Sequence, residues 1–196
     1  MTHSMSTSRA RLAGAACVAG GVLLAATILI GIDGTRSTVA GLVVWGLAMA
    51  CLMGGPLGLL ALDAAGGRPL GYIGAGLALL GQATQVAGMA YIIAYPALEA
   101  DQLFTPLGAQ AISIGMLLLG IACLRAKRLT GWRRLAPLAP PVYFLAQLLA
   151  IQIPFYLTKG LQPNFILLAL WGLAWVLLGQ AIRSSARERV GGASTL

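Results

Sequence analysis

Gln82 and Gln85 stand three residues apart inside an uncharged run from Pro69 to Leu98, so a helix through that run carries both amides on one face. Two more glutamines, Gln147 and Gln152, lie in the uncharged run from Leu135 to Thr158. Tyr143 precedes Gln147 by four residues and Tyr156 follows Gln152 by four, which again places an amide and a phenol on one helix face. Gln110 and Ser113 form a similar pair in the run from Gln102 to Leu124. Amides and phenols donate and accept hydrogen bonds without ionising. Such a set suits a neutral polar or amphipathic ligand, and Gln82, Gln85, Gln147, Gln152 and Tyr156 are the ligand-binding candidates. The same groups can instead hold helices together. A pairing of Gln82 or Gln85 with Gln147 would contribute about 0.6–2 kcal/mol in an apolar surrounding.

The residue types that are missing narrow the chemistry further. His3 is the only histidine, so no histidine pair is available for haem or an intramembrane metal. Cys17, Cys51 and Cys123 show no C-x-x-C spacing, and the count is odd, which supports neither a zinc site nor a disulfide framework. No carboxylate lies within an uncharged run to serve as proton relay or general base, and no phosphate-binding glycine pattern occurs. The expectation is therefore no catalytic residue, no metal and no cofactor, which leans away from an enzyme without deciding the matter.

The elements that must position these groups are set by charge. All eighteen Asp, Glu, Lys and Arg residues fall outside six runs: Leu12 to Ile32, Ser37 to Leu62, Pro69 to Leu98, Gln102 to Leu124, Leu135 to Thr158 and Gly160 to Ile182. A helix crosses a bilayer core with about 20 apolar residues, and every run reaches that length. With 59% hydrophobic and 9% charged residues, the chain could not cover itself with polar groups in water. The expected fold is an all-α membrane protein, a polytopic bundle of six transmembrane helices near 12–32, 39–62, 70–95, 105–124, 136–157 and 163–182. Residues 1–10 form a disordered tail, 11–183 the membrane domain and 184–196 a second tail. The first run is too long for the apolar part of a signal peptide and is kept as a span.

Orientation follows from the basic residues. With the N-terminus cytoplasmic, Arg9, Arg11, Arg68, Arg125, Lys127, Arg128, Arg133, Arg134, Arg183, Arg187 and Arg189 fall inside, and only Arg36 and Lys159 outside. Eleven against two is a strong positive-inside bias, so both termini are expected to be cytoplasmic in a bacterial inner membrane. The net charge of +8 is distributed among membrane-flanking segments with no nucleic-acid-binding motif, so nucleic acid is excluded as a partner. The longest inner connection, RAKRLTGWRR, places Arg125, Lys127, Arg128, Trp132, Arg133 and Arg134 at headgroup depth. These are the candidate contacts for anionic lipid headgroups or a protein partner, the other expected neighbours being the bilayer itself and a second copy of the chain.

Helix packing is also legible. Gly54 and Gly58 form a GxxxG motif around Pro56, and Gly71, Gly74, Gly81 and Gly88 crowd the third span, all favouring close helix approach. Pro56 and Pro154 should kink or break their helices. The echo of Trp45-Gly46-Leu47-Ala48 in Trp171-Gly172-Leu173-Ala174 suggests three related hairpins, with an inverted three-plus-three repeat the poorer match.

In length and in its six-span, both-ends-inside layout the chain is similar to the substrate-binding membrane subunits of energy-coupling-factor vitamin transporters. The likeness is one of size and topology and carries over no binding residue. The leading expectation is thus a non-enzymatic module or transporter subunit handling a neutral or lipophilic ligand. The alternative is a regulatory or structural partner docking protein or lipid through its basic face. A lipid-modifying membrane enzyme ranks third.

Overall fold

The computed structural model describes residues 2–26, 39–95, 101–149 and 165–192, which are helical almost throughout and include no strand. The helices are α1 (Thr2–Ala26), α2 (Val39–Leu52), α3 (Gly54–Ala61), α4 (Pro69–Ala94), α5 (Asp101–Ala126), α6 (Ala139–Gln147) and α7 (Phe165–Gly192). Two short 3-10 turns, Gly131–Arg134 and Ala136–Leu138, lead from α5 into α6. Among the described residues, four stretches are long and apolar enough to cross a membrane: Thr7–Ala26, Val39–Ala61, Pro69–Ala94 and Pro106–Ala126.

Several ends differ from expectation. The N-terminal residues set aside as an unstructured tail are helical from Thr2 onward, since no Pro or Gly interrupts the segment before Gly14. At the other end α7 runs on to Gly192, carrying Arg183, Arg187 and Arg189 on the helix itself. Pro106 lies inside α5. The second span breaks at Met53, between α2 and α3, because the Pro56 ring has no amide hydrogen and crowds the carbonyl four residues before it. Pro154 lies outside the described residues.

Two seams organise the bundle, α1 against α7 and α4 against α5, the two most extensive helix contacts. On the first seam Gly21 faces Gly172: a Cβ on either would stand 2.6 Å from the other's carbonyl oxygen. Gly14 and Gly179, seven residues away on each helix, repeat the arrangement at 3.0 and 2.7 Å. On the second seam Gly81 faces Gly108 at 2.7 and 3.0 Å, and Gly74 faces Gly115 at 2.7 and 2.6 Å, again seven residues apart. No side chain fits between these backbones, so the helices touch directly. A seven-residue step keeps one stripe facing its partner through a shallow left-handed crossing. Both seams are antiparallel, since the residue number rises on one helix as it falls on the other.

The remaining contacts settle the directions. α2 and α3 run antiparallel to α1, with Gly20 against Ala48 and Gly54 against Cys17, and antiparallel to α4: the turn at 62–68 joins the end of α3 to the start of α4, and Trp45 and Gly46 near the start of α2 meet Gln85 and Met89 toward the end of α4. α1 and α4 therefore run one way, α5 and α7 the other. The glycine seams match α1 with α5 and α4 with α7, an inverted correspondence. Sequence agrees once the seams align it: Leu79-Leu80-Gly81-Gln82-Ala83 recurs as Leu177-Leu178-Gly179-Gln180-Ala181, and Gly14-Ala15 with Gly21-x-Leu23-Leu24 recurs as Gly108-Ala109 with Gly115-x-Leu117-Leu118. Between them Val44-Trp45-x-Leu47-Ala48 and Pro56 match Val142-Tyr143-x-Leu145-Ala146 and Pro154 at a single offset. The WGLA echo does not mark equivalent places: Gly172 is wedged on Gly21, whereas Gly46 meets only Met89 at 3.8 Å. The seams and the residues they align favour an inverted three-plus-three relation over three related hairpins.

Apolar side chains cover the outside as well as the inside. Leu12, Ile73, Leu80, Leu107, Leu149 and Leu177 are exposed, while Trp171, Trp175, Leu24, Met116 and Leu178 fill the core.

Candidate functional site

The centre of the polar material is α4. Its seam glycines turn Gln82 and Gln85 inward, and both are buried. Gln85 lies across the α5 backbone at Gly108, where a Cβ would come within 2.8 Å of the glutamine side chain. From α2 the indole N–H of Trp45 donates to Oε1 of Gln85 at 3.4 Å. Gln82 has zero exposure, and neither its amide nitrogen nor its amide oxygen has a hydrogen-bond partner. Leaving such a group unsatisfied costs about 1–3 kcal/mol. Gln82 and Gln85 are thus brought together with Trp45, a residue the sequence offered only as part of an echo.

Gln147 is placed elsewhere. It ends α6, buried at 4% exposure with Oε1 unpartnered. α6 packs on α5, α7 and the second 3-10 turn, while α4 packs on α5, α2 and α3. The expected pairing of Gln82 with Gln147 is therefore not made: both Gln82 atoms are unpartnered, and seam packing assigns the two helices to different neighbours. Gln152 and Tyr156 lie outside the described residues. Ser113 donates to the Ala109 carbonyl at 2.8 Å within its own helix, and Gln110 is exposed. A second orphaned donor, the Trp175 indole N–H, is buried where α1, α3 and α7 meet. Only its uncapped polarity distinguishes it in the sequence, where it reads as core. Trp171 beside it is satisfied, donating to the Pro140 carbonyl at 3.0 Å.

The basic residues gather at one end. Arg128 makes an ion pair with Asp63, tying the connection after α5 to the turn before α4. Arg133 donates to Glu188 at 2.7 Å and to Thr130 at 3.1 Å, tying the same connection to α7. That bond holds the Glu188 carboxyl below its ordinary value. Arg134 donates to the Leu124 carbonyl at 3.0 Å. Arg125 and Lys127 are exposed, as is Trp132 at 55%. Lys127 adopts a left-handed backbone at φ 57°, and Gly131 does the same, folding the connection back onto α7. Between this connection and α7 lies a cleft of 190 Å³, lined by Arg128, Leu129, Thr130, Ser185, Glu188 and Arg189. Ser185 and Glu188 were not singled out from the sequence, where they belong to a tail; Arg189 figured there as one of the basic residues.

Among the described residues no three His, Cys, Asp or Glu side chains gather where a metal could be held. Comparison with family models, curated proteins and solved structures finds no match for this chain.

Proposed function

We propose that the chain is a six-span inner-membrane protein with both termini cytoplasmic, and that it binds a neutral hydrogen-bonding or amphipathic ligand beside Gln82, Gln85 and Trp45. The observation that carries the reading is the Gln82 amide, fully buried with both polar atoms unpartnered, one turn from the Trp45–Gln85 bond. A packing glutamine would have found a partner, because an unpaired amide in an apolar bundle costs more than the bond returns. A ligand offering one donor and one acceptor would satisfy both atoms. No Asp, Glu, His, Lys or Arg accompanies them in α4, which favours an uncharged ligand. The inverted relation of the helices supports a transport role, since that architecture recurs in membrane transporters with sites near the midplane. The lipid-facing exterior and the basic end support the membrane placement.

The test is native mass spectrometry of gently extracted wild type, Gln82→Met and Gln85→Leu proteins. A small molecule retained by wild type and lost from both variants, with folding intact, supports the reading. Equal retention by all three overturns it.

A further inference from the structure

We propose that the cleft between the Arg128–Thr130 connection and α7 is a binding site for a phosphoryl group, carried by the headgroup of an anionic membrane lipid. Its walls come from segments 55 or more residues apart in the chain, so the donors converge through folding rather than by clustering in sequence. Ser185 is buried at 8% exposure and lines the cleft, and its hydroxyl has no hydrogen-bond partner among the described residues. Arg189, one turn further along α7, also lines the cleft and has no partner among the described residues. Arg128, its charge already paired with Asp63, adds the remaining N–H donors of a half-exposed guanidinium from the opposite wall. Leu129, at 5% exposure, gives the cleft an apolar floor.

The acid in the wall does not cancel these donors. Glu188 is engaged by Arg133, and the other carboxylate at this end, Asp63, is engaged by Arg128. Arg125, Lys127, Arg187 and Arg189 are left uncompensated, so the local field favours an anion. Guanidinium groups with an adjacent hydroxyl match the several acceptor oxygens of a phosphate better than they match a single carboxylate oxygen. Exposed Trp132 and Leu135 flank the connection, the residue types that sit at the boundary between acyl chains and headgroups. That flank selects a lipid over a soluble phosphate. The lipid source rests on the membrane placement proposed above, whereas the phosphoryl chemistry does not.

The experiment uses the full chain in detergent micelles. Phosphatidylglycerol and phosphatidylcholine are titrated separately and followed by native mass spectrometry, and inorganic phosphate is titrated by thermal shift. Arg189→Gln and Ser185→Ala each remove a group with no intramolecular partner, so neither should disturb folding. The expected result is a preference for phosphatidylglycerol that weakens about tenfold in each variant. Arg11→Gln, which removes an exposed cation outside the cleft, serves as control and should bind as wild type. Unchanged binding in both cleft variants, or an equal loss in Arg11→Gln, overturns the site. Saturation by inorganic phosphate with no lipid preference overturns the lipid source. Flotation of wild type with vesicles separates these outcomes from failure of the membrane placement, which would abolish flotation itself.

Discussion

Trp45 donates its indole hydrogen to the Gln85 carbonyl oxygen at 3.4 Å, and this bond leaves Gln82, on the same face one turn earlier, without any partner. Of the three polar side chains Trp45, Gln82 and Gln85, the structure satisfies two. The third is held in place by the α4–α5 seam rather than by its own polarity. Gly74 and Gly81 allow α4 only one rotation against α5, and that rotation turns Gln82 inward.

Replacing Gln82 by methionine should therefore stabilise the unliganded protein, by about 1–3 kcal/mol, while removing ligand retention. The side chains are similar in volume, so packing changes little. Thermal unfolding in detergent checks the first effect and native mass spectrometry the second. A marked loss of stability in Gln82→Met would show that the amide is bonded, and would sink the ligand reading.

The glycine seams predict opposite outcomes for the same substitution. Gly172→Ala would set a Cβ 2.6 Å from the Gly21 carbonyl oxygen and 2.9 Å from the Ala25 nitrogen, so the helices must part. The expected cost is about 1–3 kcal/mol. Gly76→Ala meets nothing within 4 Å and should stabilise α4 by about 0.5–1 kcal/mol. Unfolding midpoints of the two variants, measured side by side, decide the matter. A similar loss in both would refute direct backbone contact at the seam.

The extent to which this fold could be read in advance follows from helices that are apolar on both their buried and their exposed faces. Charge marks where apolar runs end, so the apolar cores of the helices were visible at once, whereas α1 and α7 continue through Arg9, Arg11 and Arg183 to Arg189. The buried face of each helix was not visible, because Leu80, Ile73 and Leu107 face outward while Leu59, Ile112 and Leu178 face inward. Hydrophobic periodicity carries little information when both faces are apolar. Small residues carry it instead, and the signal here is the seven-residue glycine step shared by α1, α4, α5 and α7 rather than the four-residue GxxxG spacing. The Gln82 and Gln85 face was legible because the two amides lie on one helix. Their relation to Gln147 was not, since it depends on which helices become neighbours. The cleft was hidden for another reason. It needs α7 to continue through Arg189, past the end of the apolar run.

The turn after α5 contains a conformational cost that can be relieved. Lys127 holds φ at 57°, a region that costs a residue with a Cβ about 1–2 kcal/mol. Lys127→Gly should stabilise the protein by about 0.5–1 kcal/mol, the larger entropy of glycine in the unfolded chain offsetting part of the gain. Gly131→Ala, at the same φ and with open space around it, should lose about 1–2 kcal/mol. Chemical unfolding of both variants checks the pair of signs. A destabilised Lys127→Gly would mean that the lysine side chain contributes a bond stronger than its backbone cost.

The Arg133–Glu188 bond makes a stability contribution that depends on pH in a predictable direction. Arg133 donates to the Glu188 carboxylate and lowers its protonation range in the folded protein below the ordinary value of 4.5. A carboxylate with a lowered folded value stabilises the fold fully above its unfolded value, and the contribution disappears as pH falls through the folded value. Wild type should therefore unfold at a higher temperature than Glu188→Gln at about pH 7, with the difference shrinking toward zero as the medium is taken down to about pH 2. Glu188 is exposed and its bond is screened by solvent and salt, so the difference should also shrink as ionic strength rises. The check is a pair of melting curves across that range at low and high salt. A gap between the two proteins that persists at the acid end would assign the effect to packing of the glutamate stem rather than to its charge.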